Sequence, residues 1–365
     1  MAAVLVAGGG TGGHIFPGIA IARELKGRMP GCEVRFVGTE RGLESKIVPA
    51  EGFGLITIRS AGITGKRLGA RLRGMAIVPL SLAQSFGLIH RTRPDLVIGV
   101  GGYSSGPVLA AAVMRRVPTL IHEQNYVPGM TNRWLAPFVK EVAVTFPESI
   151  ERLGGRGVVT GNPVRAEFAG LKRWTGGGPV KRLLVLGGSQ GARVINRAMC
   201  EALPLLAGMK GKLHITHQTG EAHFEAVSEA YRSVADRAPD HDLAPFIREM
   251  PAAFERADLL VSRCGSTTLA ELTCAGRAAV LIPFAAAAHD HQTFNARKLV
   301  DAGAAVAITE SELTGERLAS VVMDLLGSEE KLGRLSAASR SLGRPDAAAR
   351  IADLCVKLAT GGLAA

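Results

Sequence analysis

The sequence has 365 residues, 47% hydrophobic and 21% charged, which excludes a disordered chain and leaves room for about two globular domains. Its net charge of +11 suits nucleic acid, anionic lipid or a phosphorylated substrate, or simply a solvated basic surface. The five scattered cysteines lack C-x-x-C spacing, which argues against a disulfide framework or a zinc site and favours free thiols in a reducing compartment.

Short β-rich runs alternate with helical patterns through the first half of the chain. Several of the runs are apolar at every position, which is typical of parallel strands covered on both faces. The alternation predicts a doubly wound parallel sheet. The predicted strands are 4–7, 33–37, 55–58, 96–100, 119–122 and 142–145, with helices for example at 19–26, 78–91 and 107–115.

A glycine-rich break at 174–181 precedes a second half in which the pattern restarts. We therefore expect an α/β fold of two Rossmann-like, doubly wound parallel-sheet domains that face each other across a cleft. The last predicted helix, at 346–358, has small and apolar residues on one side and can pack on either domain. The predicted elements of this half are strands at 182–186, 213–217, 259–262 and 279–282 and a helix at 192–206.

The first strand runs into Gly8-Gly-Gly-Thr-Gly-Gly-His14, here called the first glycine turn. Gly8, Gly10 and Gly13 satisfy G-x-G-x-x-G, and Glu40 lies near the place of a ribose-binding acid, so a dinucleotide site is one alternative. The turn holds more glycine than such a site needs, and the missing side chains let N–H groups approach a bulky anionic or sugar ligand.

The second half opens with Gly187-Gly-Ser-Gln-Gly191, here called the second glycine turn. It precedes a predicted helix whose N-terminal N–H groups suit a pyrophosphate, with Ser189 as a hydroxyl donor. Glycines in such turns can also serve only close packing of strand and helix. Two turns, one opening each half, favour a ligand between the domains. A third turn, Gly101-Gly-Tyr-Ser-Ser-Gly-Pro107 (the 101–107 turn), suits a second phosphorylated ligand.

An ordered set of motifs spans nearly the whole chain and resembles the MurG family of bacterial glycosyltransferases. Each motif alone is common, whereas the ordered set is specific. The set comprises Gly9-Gly-Thr-Gly-Gly-His14, the 101–107 turn, His122-Glu-Gln-Asn125, Gly161-Asn-Pro-Val-Arg165, Gly187-Gly-Ser-Gln-Gly-Ala-Arg193 and Ser262-Arg-Cys-Gly-Ser-Thr-Thr-Leu-Ala-Glu271.

The resemblance implies a GT-B fold and an inverting transfer of N-acetylglucosamine from UDP-N-acetylglucosamine. The implied acceptor is the C4 hydroxyl of N-acetylmuramic acid in undecaprenyl-pyrophosphoryl-MurNAc-pentapeptide (lipid I), which becomes lipid II for peptidoglycan synthesis. No cofactor and no metal are implied, and the sequence has no Asp-x-Asp positioned to hold a divalent cation on the diphosphate. By resemblance, residues 1–163 bind the acceptor and the membrane, 164–344 bind the donor, and the C-terminal helix, 345–365, returns to the first domain.

His14 is the catalytic candidate, because a neutral imidazole can take the proton from the acceptor hydroxyl as that oxygen attacks the sugar. The alternative is a histidine that positions the acceptor or bonds to the backbone at a helix start. The resemblance places Gly102, Tyr103 and Ser104 at the acceptor.

The donor residues implied by the resemblance carry alternatives of their own. Glu271 either accepts hydrogen bonds from the ribose hydroxyls or completes a capping box with Thr268 at a helix start. Asn125 either contacts the N-acetyl group or caps a helix, and Ile247 either reads the uracil edge with its backbone or is an ordinary buried residue. The full set is Thr11, Gly12, Gly13, Asn125, Arg165, Ser189, Ile247, Ser266, Thr267, Thr268, Leu269, Ala270, Glu271 and Gln292.

Arg165 is matched with the diphosphate or nucleotide, and Gln292 with the hydroxyls of the donor sugar. The run Ala285-Ala-Ala-Ala288 departs from the family, whose loop here is often richer in aromatic or polar residues.

One basic and apolar segment predicts contact with a membrane surface, since it can touch anionic headgroups while its apolar residues enter the interface. The alternative is a helix that packs its apolar face on the core. The sequence contains no run of 18 apolar residues, so no membrane span is predicted. The apolar run at the start ends at Gly8, which is too early for a signal peptide. The segment comprises Lys66, Arg67, Leu68, Arg71, Leu72, Arg73, Met75 and Ile77.

These features predict a peripheral protein on the cytoplasmic side of the inner membrane, with other cell-wall synthesis proteins as candidate partners. Other functions stay open: another GT-B glycosyltransferase, a non-hydrolysing UDP-sugar epimerase, and a nucleotide-sugar or NAD binding protein without transfer. Nucleic-acid binding has only the charge in its favour, because no aromatic stacking set or recognition motif accompanies it; we expect no nucleic-acid partner.

Overall fold

The structure is a computed structural model that describes residues 2–60, 68–287 and 290–361, and the side chains of residues 68–76 lie outside this description. The chain divides into two compact units, here called the first unit (Met1–Ala166 with Arg344–Ala365) and the second unit (Glu167–Gly343). The chain therefore enters the second unit after Ala166 and returns to the first at Arg344.

The first unit contains one parallel sheet, whose strands alternate with helices. Its strands are β1 (Ala3–Gly8), β2 (Glu33–Gly38), β3 (Gly54–Thr57), β4 (Leu96–Gly101), β5 (Thr119–Glu123), β6 (Glu141–Val144) and β7 (Val158–Val159). Its helices are α1 (Gly12–Arg28), α2 (Glu44–Ala50), α3 (Leu68–Thr92), α4 (Ser105–Met114), α5 (Met130–Leu135) and α6 (Ser149–Arg152). The strand order is β3-β2-β1-β4-β5-β6-β7.

Alternate residues of β1 pack into two separate cores, one on each face of the sheet. Val4 and Val6 belong to a core that includes residues of α1, whereas Leu5 and Ala7 belong to a core with residues of α4. The final helix, α15 (Ala347–Ala359), joins the core of α1, where Ile351 and Cys355 are fully buried.

The second unit contains the other parallel sheet. Its strands are β8 (Lys181–Leu186), β9 (Leu213–Gln218), β10 (Asp240–Ala244), β11 (Leu259–Ser262), β12 (Ala278–Leu281) and β13 (Val306–Ala307), in the order β10-β9-β8-β11-β12-β13. A short helix, α7 (Ala166–Ala169), lies at the crossing. The other helices are α8 (Arg193–Ala202), α9 (Phe224–Arg232), α10 (Met250–Arg256), α11 (Ser266–Ala275), α12 (His291–Asp301), α13 (Gly315–Leu326) and α14 (Glu329–Leu342), with 3-10 segments at Leu203–Met209 and Glu221–His223.

Both sheets have the same switch point in their strand order. β1 lies between β2 and β4, and β8 lies between β9 and β11. Successive connections leave such a point toward opposite faces of the sheet, so the carboxyl ends of its two strands border a crevice where open α/β sheets bind ligands. The predicted doubly wound parallel sheets are confirmed, and their switch points locate the candidate site of each unit.

Some elements differ from the predictions. The strands β7, β10 and β13 were not predicted, and all three lie at sheet edges, where short or polar strands are usual and the apolar signal is weak. Helix α1 begins at Gly12 and not at residue 19, because glycine in its first turn hides the helical pattern. The helix predicted at 192–206 ends at Ala202 and continues as a 3-10 segment that contains Pro204.

Candidate active site

The predicted residues of the first unit gather at the carboxyl edge of its sheet, around the switch point. The first glycine turn follows β1, the 101–107 turn follows β4, and Asn125 follows β5. Thr11 is the exposed N-cap of α1, and Gly12 and Gly13 form the half-buried first turn of that helix. The fold thus brings together residues that lie more than a hundred positions apart in the sequence.

The carboxylate of Glu44 fills the interior of the first glycine turn. Its Oε2 accepts the N–H of Gly10 at 2.8 Å, while its Oε1 accepts the N–H and the hydroxyl of Thr39 at 2.9 and 2.8 Å. Burial alone would raise the pKa of Glu44, but these hydrogen bonds outweigh it and hold the pKa below its usual value. Three glycines make room for the side chain, because a Cβ on any of them would overlap it: Gly9, Gly38 and Gly42.

This arrangement argues against the dinucleotide alternative. In a dinucleotide site the N–H groups of the turn face the pyrophosphate. Here an ionised carboxylate already occupies the N–H of Gly10 and would repel a phosphate next to it. Glu40, the candidate ribose acid, is exposed.

His14 is half-buried in the first turn of α1, and its ring lies against the end of β4. A Cβ on Gly101 would lie 2.7 Å from Nδ1 of His14, and Gly101 has a φ of +90°, so only glycine fits there. Gly102, with a φ of +87°, lies against the main chain of Gly9. The exposed Tyr103 packs beside the same turn. The 101–107 turn and the first glycine turn therefore hold His14 between them.

Two other predicted residues of the first unit have defined neighbours. Ser104 is buried, and its hydroxyl donates to the carbonyl oxygen of Val37 at 3.2 Å, which ties the 101–107 turn to β2. Arg165, which was assigned to the donor domain, belongs to the first unit. Its Cζ lies 5.4 Å from the ring centroid of Phe16, so its charge lies beside the first turns of α1.

Glu123 organises the loop that carries Asn125. Its Oε1 accepts the main-chain N–H of Asn125 at 2.9 Å, and its Oε2 accepts the N–H of Gly129 at 3.0 Å and the side-chain amide of Asn132 at 2.8 Å. Burial raises the pKa of this fully buried carboxyl in spite of those bonds. The loop that carries Asn125 is therefore fixed by hydrogen bonds to the buried Glu123. Asn125 does not cap the nearby helix α5, whose N-cap is Gly129.

His122 and Gln124 fix the strand end beneath this loop. The Nε2 of His122 donates to the carbonyl oxygen of Gly161 at 3.2 Å, and its Nδ1 accepts from the amide of Gln124 at 3.2 Å. The same amide donates to the carbonyl oxygen of Val100 at 2.8 Å. Burial lowers the pKa of His122 to about 4, so the ring is neutral at neutral pH. Its hydrogen bonds hold the end of β5 in place.

In the second unit, the predicted residues also follow the carboxyl ends of strands. The second glycine turn, with the exposed Ser189, follows β8 and leads into α8. The N-cap of α8 is Ala192, whose side chain cannot bond to the first N–H groups of the helix. Ile247 follows β10 and is half-buried, and its N–H donates to Oε1 of Gln218 at 2.7 Å.

A buried chain of hydrogen bonds lies beneath the second glycine turn. The hydroxyl of Tyr231 donates to Nδ1 of His217 at 3.0 Å, and Nε2 of His217 donates to Oδ1 of Asn196 at 3.1 Å. The amide of Asn196 donates to the carbonyl oxygen of Thr219 at 2.9 Å. The carbonyl oxygen of Thr219 can only accept, so the nitrogen of the Asn196 amide faces it and Oδ1 of Asn196 faces His217. The proton of the His217 ring therefore lies on Nε2. Burial lowers the pKa of His217 to about 3.

The capping-box interpretation of Glu271 is wrong. Helix α11 begins at Ser266 with Gly265 as its N-cap, so Thr268 already lies inside the helix and cannot be the capping residue. Glu271 is 8% exposed on the same helix. The motif residues of α11 form its first turns after β11, across the switch point from the second glycine turn: Ser266, Thr267, Thr268, Leu269, Ala270 and Glu271.

Gln292, in the first turn of α12, braces the turn that precedes α11. Its Oε1 accepts the N–H of Cys264 at 3.2 Å and the N–H of Phe284 at 3.1 Å. Ala288 lies outside the described residues, so the alanine run that departs from the family is described only up to residue 287.

Two absences hold for the described part of the chain. No group of three or more His, Cys, Asp and Glu side chains there is arranged to hold a metal ion. The Asp240-His-Asp242 run lies within β10, with Asp242 bonded to His214 at 2.9 Å. Likewise, no described helix is long and apolar enough to cross a membrane. The predicted membrane segment lies mostly outside the description: Lys66 and Arg67 entirely, and Leu68, Arg71, Leu72, Arg73 and Met75 as side chains, whereas Ile77 is half-buried in α3.

Comparison with known proteins decides the family. The N-terminal domain of glycosyltransferase family 28 matches residues 4–144, and the C-terminal domain of the same family matches residues 182–351. The chain belongs to glycosyltransferase family 28. As a member of this family it is a hexosyltransferase with a GT-B fold, and its two units are the two Rossmann-like domains of that fold.

Individual family 28 relatives cover both domains. A protein of Anaeromyxobacter sp. (strain Fw109-5), named UDP-N-acetylglucosamine--N-acetylmuramyl-(pentapeptide) pyrophosphoryl-undecaprenol N-acetylglucosamine transferase, is 48% identical over 97% of this chain and 93% of its own. The crystal structure of Acinetobacter baumannii MurG is 31% identical, has a TM-score of 0.77, and covers 98% of this chain and 100% of its own.

An epimerase also shares the architecture. UDP-GlcNAc 2-epimerase from Neisseria meningitidis, solved bound to UDP-GlcNAc, has a TM-score of 0.67 over 98% of this chain and 100% of its own. It is only 11% identical, so this likeness shows the fold alone.

Sequence reasoning missed the buried residues that hold the site together, namely Glu44, Glu123 and Gln218. The signal for Glu44 was its place among Gly38, Gly42 and the first glycine turn, since clustered glycines leave space for a larger group. The signal for the other two was a polar residue at the end of a strand that is otherwise apolar or buried.

Proposed function

We propose that this family 28 enzyme transfers N-acetylglucosamine from UDP-N-acetylglucosamine to the C4 hydroxyl of the MurNAc unit in lipid I, forming lipid II. The observation that carries the proposal is the 48% identity, over 97% of the chain, to a relative named for this reaction. The positions of the predicted residues support it, because the glycine turns and the first turns of α11 follow the carboxyl ends of the strands at the two switch points, where α/β sheets bind ligands.

The second unit binds UDP. The uncapped N-terminus of α8 and the second glycine turn offer N–H groups and a partial positive charge to the diphosphate. Glu271 accepts hydrogen bonds from the ribose hydroxyls, the main chain at Ile247 reads the uracil, and Gln292 contacts the sugar. Ser189 and the first residues of α11 add donors. The start of α11 at Ser266 is consistent with this role of Glu271, because Thr268 is not the capping residue.

The first unit supplies the acceptor side. His14 accepts the proton of the C4 hydroxyl while the C4 oxygen attacks the anomeric carbon. The bond from that carbon to the UDP oxygen breaks as the new bond forms, so the configuration inverts and the negative charge leaves on UDP. Positive charge at Arg165 and the dipole of α8 stabilise the leaving group. No metal or cofactor enters this step.

Other contacts follow the resemblance. Gly102, Tyr103 and Ser104 bind the acceptor, whereas Thr11, Gly12, Gly13 and Asn125 reach the donor sugar. The close packing of the 101–107 turn on the first glycine turn supports these roles, because it brings the acceptor residues next to the donor-sugar residues. The ring of Tyr103, which is 48% exposed, is accessible to the acceptor.

We place the enzyme on the cytoplasmic face of the inner membrane, where lipid I presents its headgroup. The sequence from Lys66 to Ile77 supports this location, because four basic residues alternate there with apolar ones. Proteins of cell-wall synthesis that use the same lipid are the expected neighbours at that surface.

The test is an assay of the purified chain with UDP-[14C]-N-acetylglucosamine and a short-chain lipid I analogue. Radiolabel in a lipid-linked β-disaccharide, with release of UDP and with EDTA present, is the expected result. Formation of UDP-N-acetylmannosamine without acceptor would instead indicate an epimerase. Saturable binding of NAD with no effect of UDP would contradict the transferase.

A further inference from the structure

The end of β9 lies between two segments that the proposed function assigns to the donor. β9 pairs with β8 on one side and with β10 on the other. The second glycine turn therefore leaves the sheet beside β9, and the segment that carries Ile247 leaves it on the opposite side. Gly220, just after β9, contacts both: its N–H donates to the carbonyl oxygen of Pro245 at 3.1 Å, and a Cβ on it would overlap the carbonyl of Gln190.

Gln218, the last residue of β9, connects these two segments through a single side-chain amide. Its Nε2 donates to the carbonyl oxygen of Gly188 at 2.9 Å, and its Oε1 accepts the N–H of Ile247 at 2.7 Å. Gln218 is 2% exposed, so bulk water does not compete for either bond. The buried chain from Tyr231 through His217 fixes the strand end on which this amide stands.

The bond to Gly188 determines how the second glycine turn presents its donors. In a planar trans peptide, the carbonyl and the following N–H point in opposite directions. The carbonyl of Gly188 accepts from Gln218 and from the N–H of Gly191, the latter at 3.0 Å. The N–H of Ser189 must therefore point away from Gln218. Since Ser189 is exposed, a diphosphate can reach this part of the turn.

The bond to Ile247 acts at the other end of the nucleotide. It holds the peptide between Phe246 and Ile247 in one orientation. That orientation decides which main-chain groups of the segment face a base. A base read by main-chain groups is discriminated only as well as those groups are held in place.

We propose that Gln218 is a positioning residue of the donor site, which aligns the diphosphate-binding turn with the base-reading segment. This inference rests on the proposed function, since it takes UDP as the ligand of the second unit. Gln218 acts through the main chain of Gly188 and Ile247 and makes no contact with the nucleotide of its own. One side chain thereby links affinity for the diphosphate to selectivity for uracil.

The test is calorimetric titration of the full chain with UDP, UMP and CDP. The preference for UDP over UMP reports the second phosphate, and the preference for UDP over CDP reports the base. The variants are Gln218→Met, which removes both bonds at similar volume, and Gln218→Glu, which keeps the acceptor for Ile247 but loses the donor to Gly188. The matched control is Gln84→Met, which removes the bond from the N–H of Arg59 to Oε1 of Gln84, 2.8 Å long, in the first unit.

We expect Gln218→Met to weaken UDP binding about ten-fold or more and to reduce both preferences, because two buried main-chain groups lose their partner. Gln218→Glu should reduce the preference for UDP over UMP and retain that for UDP over CDP. Gln84→Met should change neither.

Three results would overturn the proposal. One is an unchanged UDP affinity in Gln218→Met. Another is an equal loss for all three nucleotides, which is the mark of general destabilisation. If Gln218→Met does not fold, an unchanged preference for UDP over UMP in Gln218→Glu decides against the proposal. Absence of UDP binding by the unsubstituted chain would instead refute the proposed function, and this inference with it.

Discussion

The N–H of Gly10 donates a 2.8 Å hydrogen bond to the carboxylate of Glu44 inside the first glycine turn. The two glycine turns therefore differ in electrostatics, although their sequences suggest the same use. The first turn carries an internal anion, whereas the second leads into a helix whose N-cap, Ala192, has no polar side chain. This contrast supports the proposal that the UDP diphosphate binds to the second unit, whereas uncharged groups of the substrates lie at the first turn.

The space around Glu44 predicts the effect of a single methyl group. A Cβ on Gly42 would overlap the carboxylate of Glu44, so Gly42→Ala should lower the free energy of unfolding by about 1–3 kcal/mol. Gly27→Ala is the matched control. Gly27 lies in α1 with open space around its Cβ, and alanine there should stabilise the protein by about 0.5–1 kcal/mol. Denaturant unfolding measures both, and equal effects of the two substitutions would contradict the packing described.

Loss of the charge on Glu44 should impair turnover more than donor binding. Glu44→Gln replaces one acceptor oxygen by an N–H₂ group, which cannot accept from both Gly10 and Thr39. We expect kcat to fall about ten-fold or more, because the turn that carries His14 is no longer held, while the Kd of UDP stays unchanged. Steady-state kinetics together with titration separate the two quantities. A weaker UDP complex at normal kcat would place Glu44 at the donor.

His14→Ala should reduce kcat by about 10²–10⁴-fold, the usual contribution of a general base. UDP affinity should persist, because the proposed UDP site lies in the second unit. His90→Ala, an exposed histidine at the end of α3, serves as the matched control and should retain full turnover. Full turnover in His14→Ala would reject the base role.

Glu271→Ala should weaken the binding of UDP and remove its preference over 2′-deoxy-UDP. A carboxylate that bonds to both ribose hydroxyls loses one partner when the 2′-hydroxyl is missing, so the unsubstituted enzyme should bind the deoxy analogue less tightly. Titration of both nucleotides gives the comparison. If the variant keeps the preference, another residue contacts the ribose.

Acid should destabilise the protein before its ordinary carboxyl groups titrate. Burial lowers the pKa of His217 to about 3 and that of His122 to about 4, whereas histidine in an unfolded chain titrates near 6.5. Below pH 6.5 the unfolded chain takes up protons first, so stability is lost as the pH falls, by up to about 1.4 kcal/mol per unit for each histidine. The thermal midpoint should therefore fall between pH 7 and pH 5.

A histidine variant provides the control for this pH effect. Burial raises the pKa of Glu123, and this carboxyl therefore favours the folded state as the pH falls, opposite to the histidines. The difference between the unsubstituted protein and His217→Gln is therefore more informative than the change in the thermal midpoint of either protein alone. The variant should show a smaller fall in its midpoint over the same range. Equal pH dependence in both proteins would contradict the neutral, buried state of His217.

The central part of the fold was predictable from sequence, because the central strands are apolar on both faces and the glycine turns mark their ends. The edge strands were not. β10, for example, begins Asp240-His-Asp, and its exposed positions hide the alternation of a strand. The start of α1 was also missed, since glycines suppress the helical signal at Gly12 and Gly13.

The candidate site was predictable only where a motif exposes its chemistry. Turns, a histidine and a helix-borne glutamate are visible as patterns. Residues that act through the main chain of another residue are not visible as patterns, because their partners lie far away in the sequence. Gln218, for example, bonds to Gly188 and Ile247, which are 30 and 29 positions away. The capping box at Thr268 failed for a related reason, since the sequence allows several starts for α11 and packing selects one.

A crystal structure of the chain with UDP tests the central claim most directly. The account predicts that the diphosphate lies within hydrogen-bonding distance of the second glycine turn, with the ribose at Glu271 and the carboxylate of Glu44 still bonded to Gly10. A diphosphate bound to the first glycine turn, with Glu44 displaced from Gly10, would contradict it.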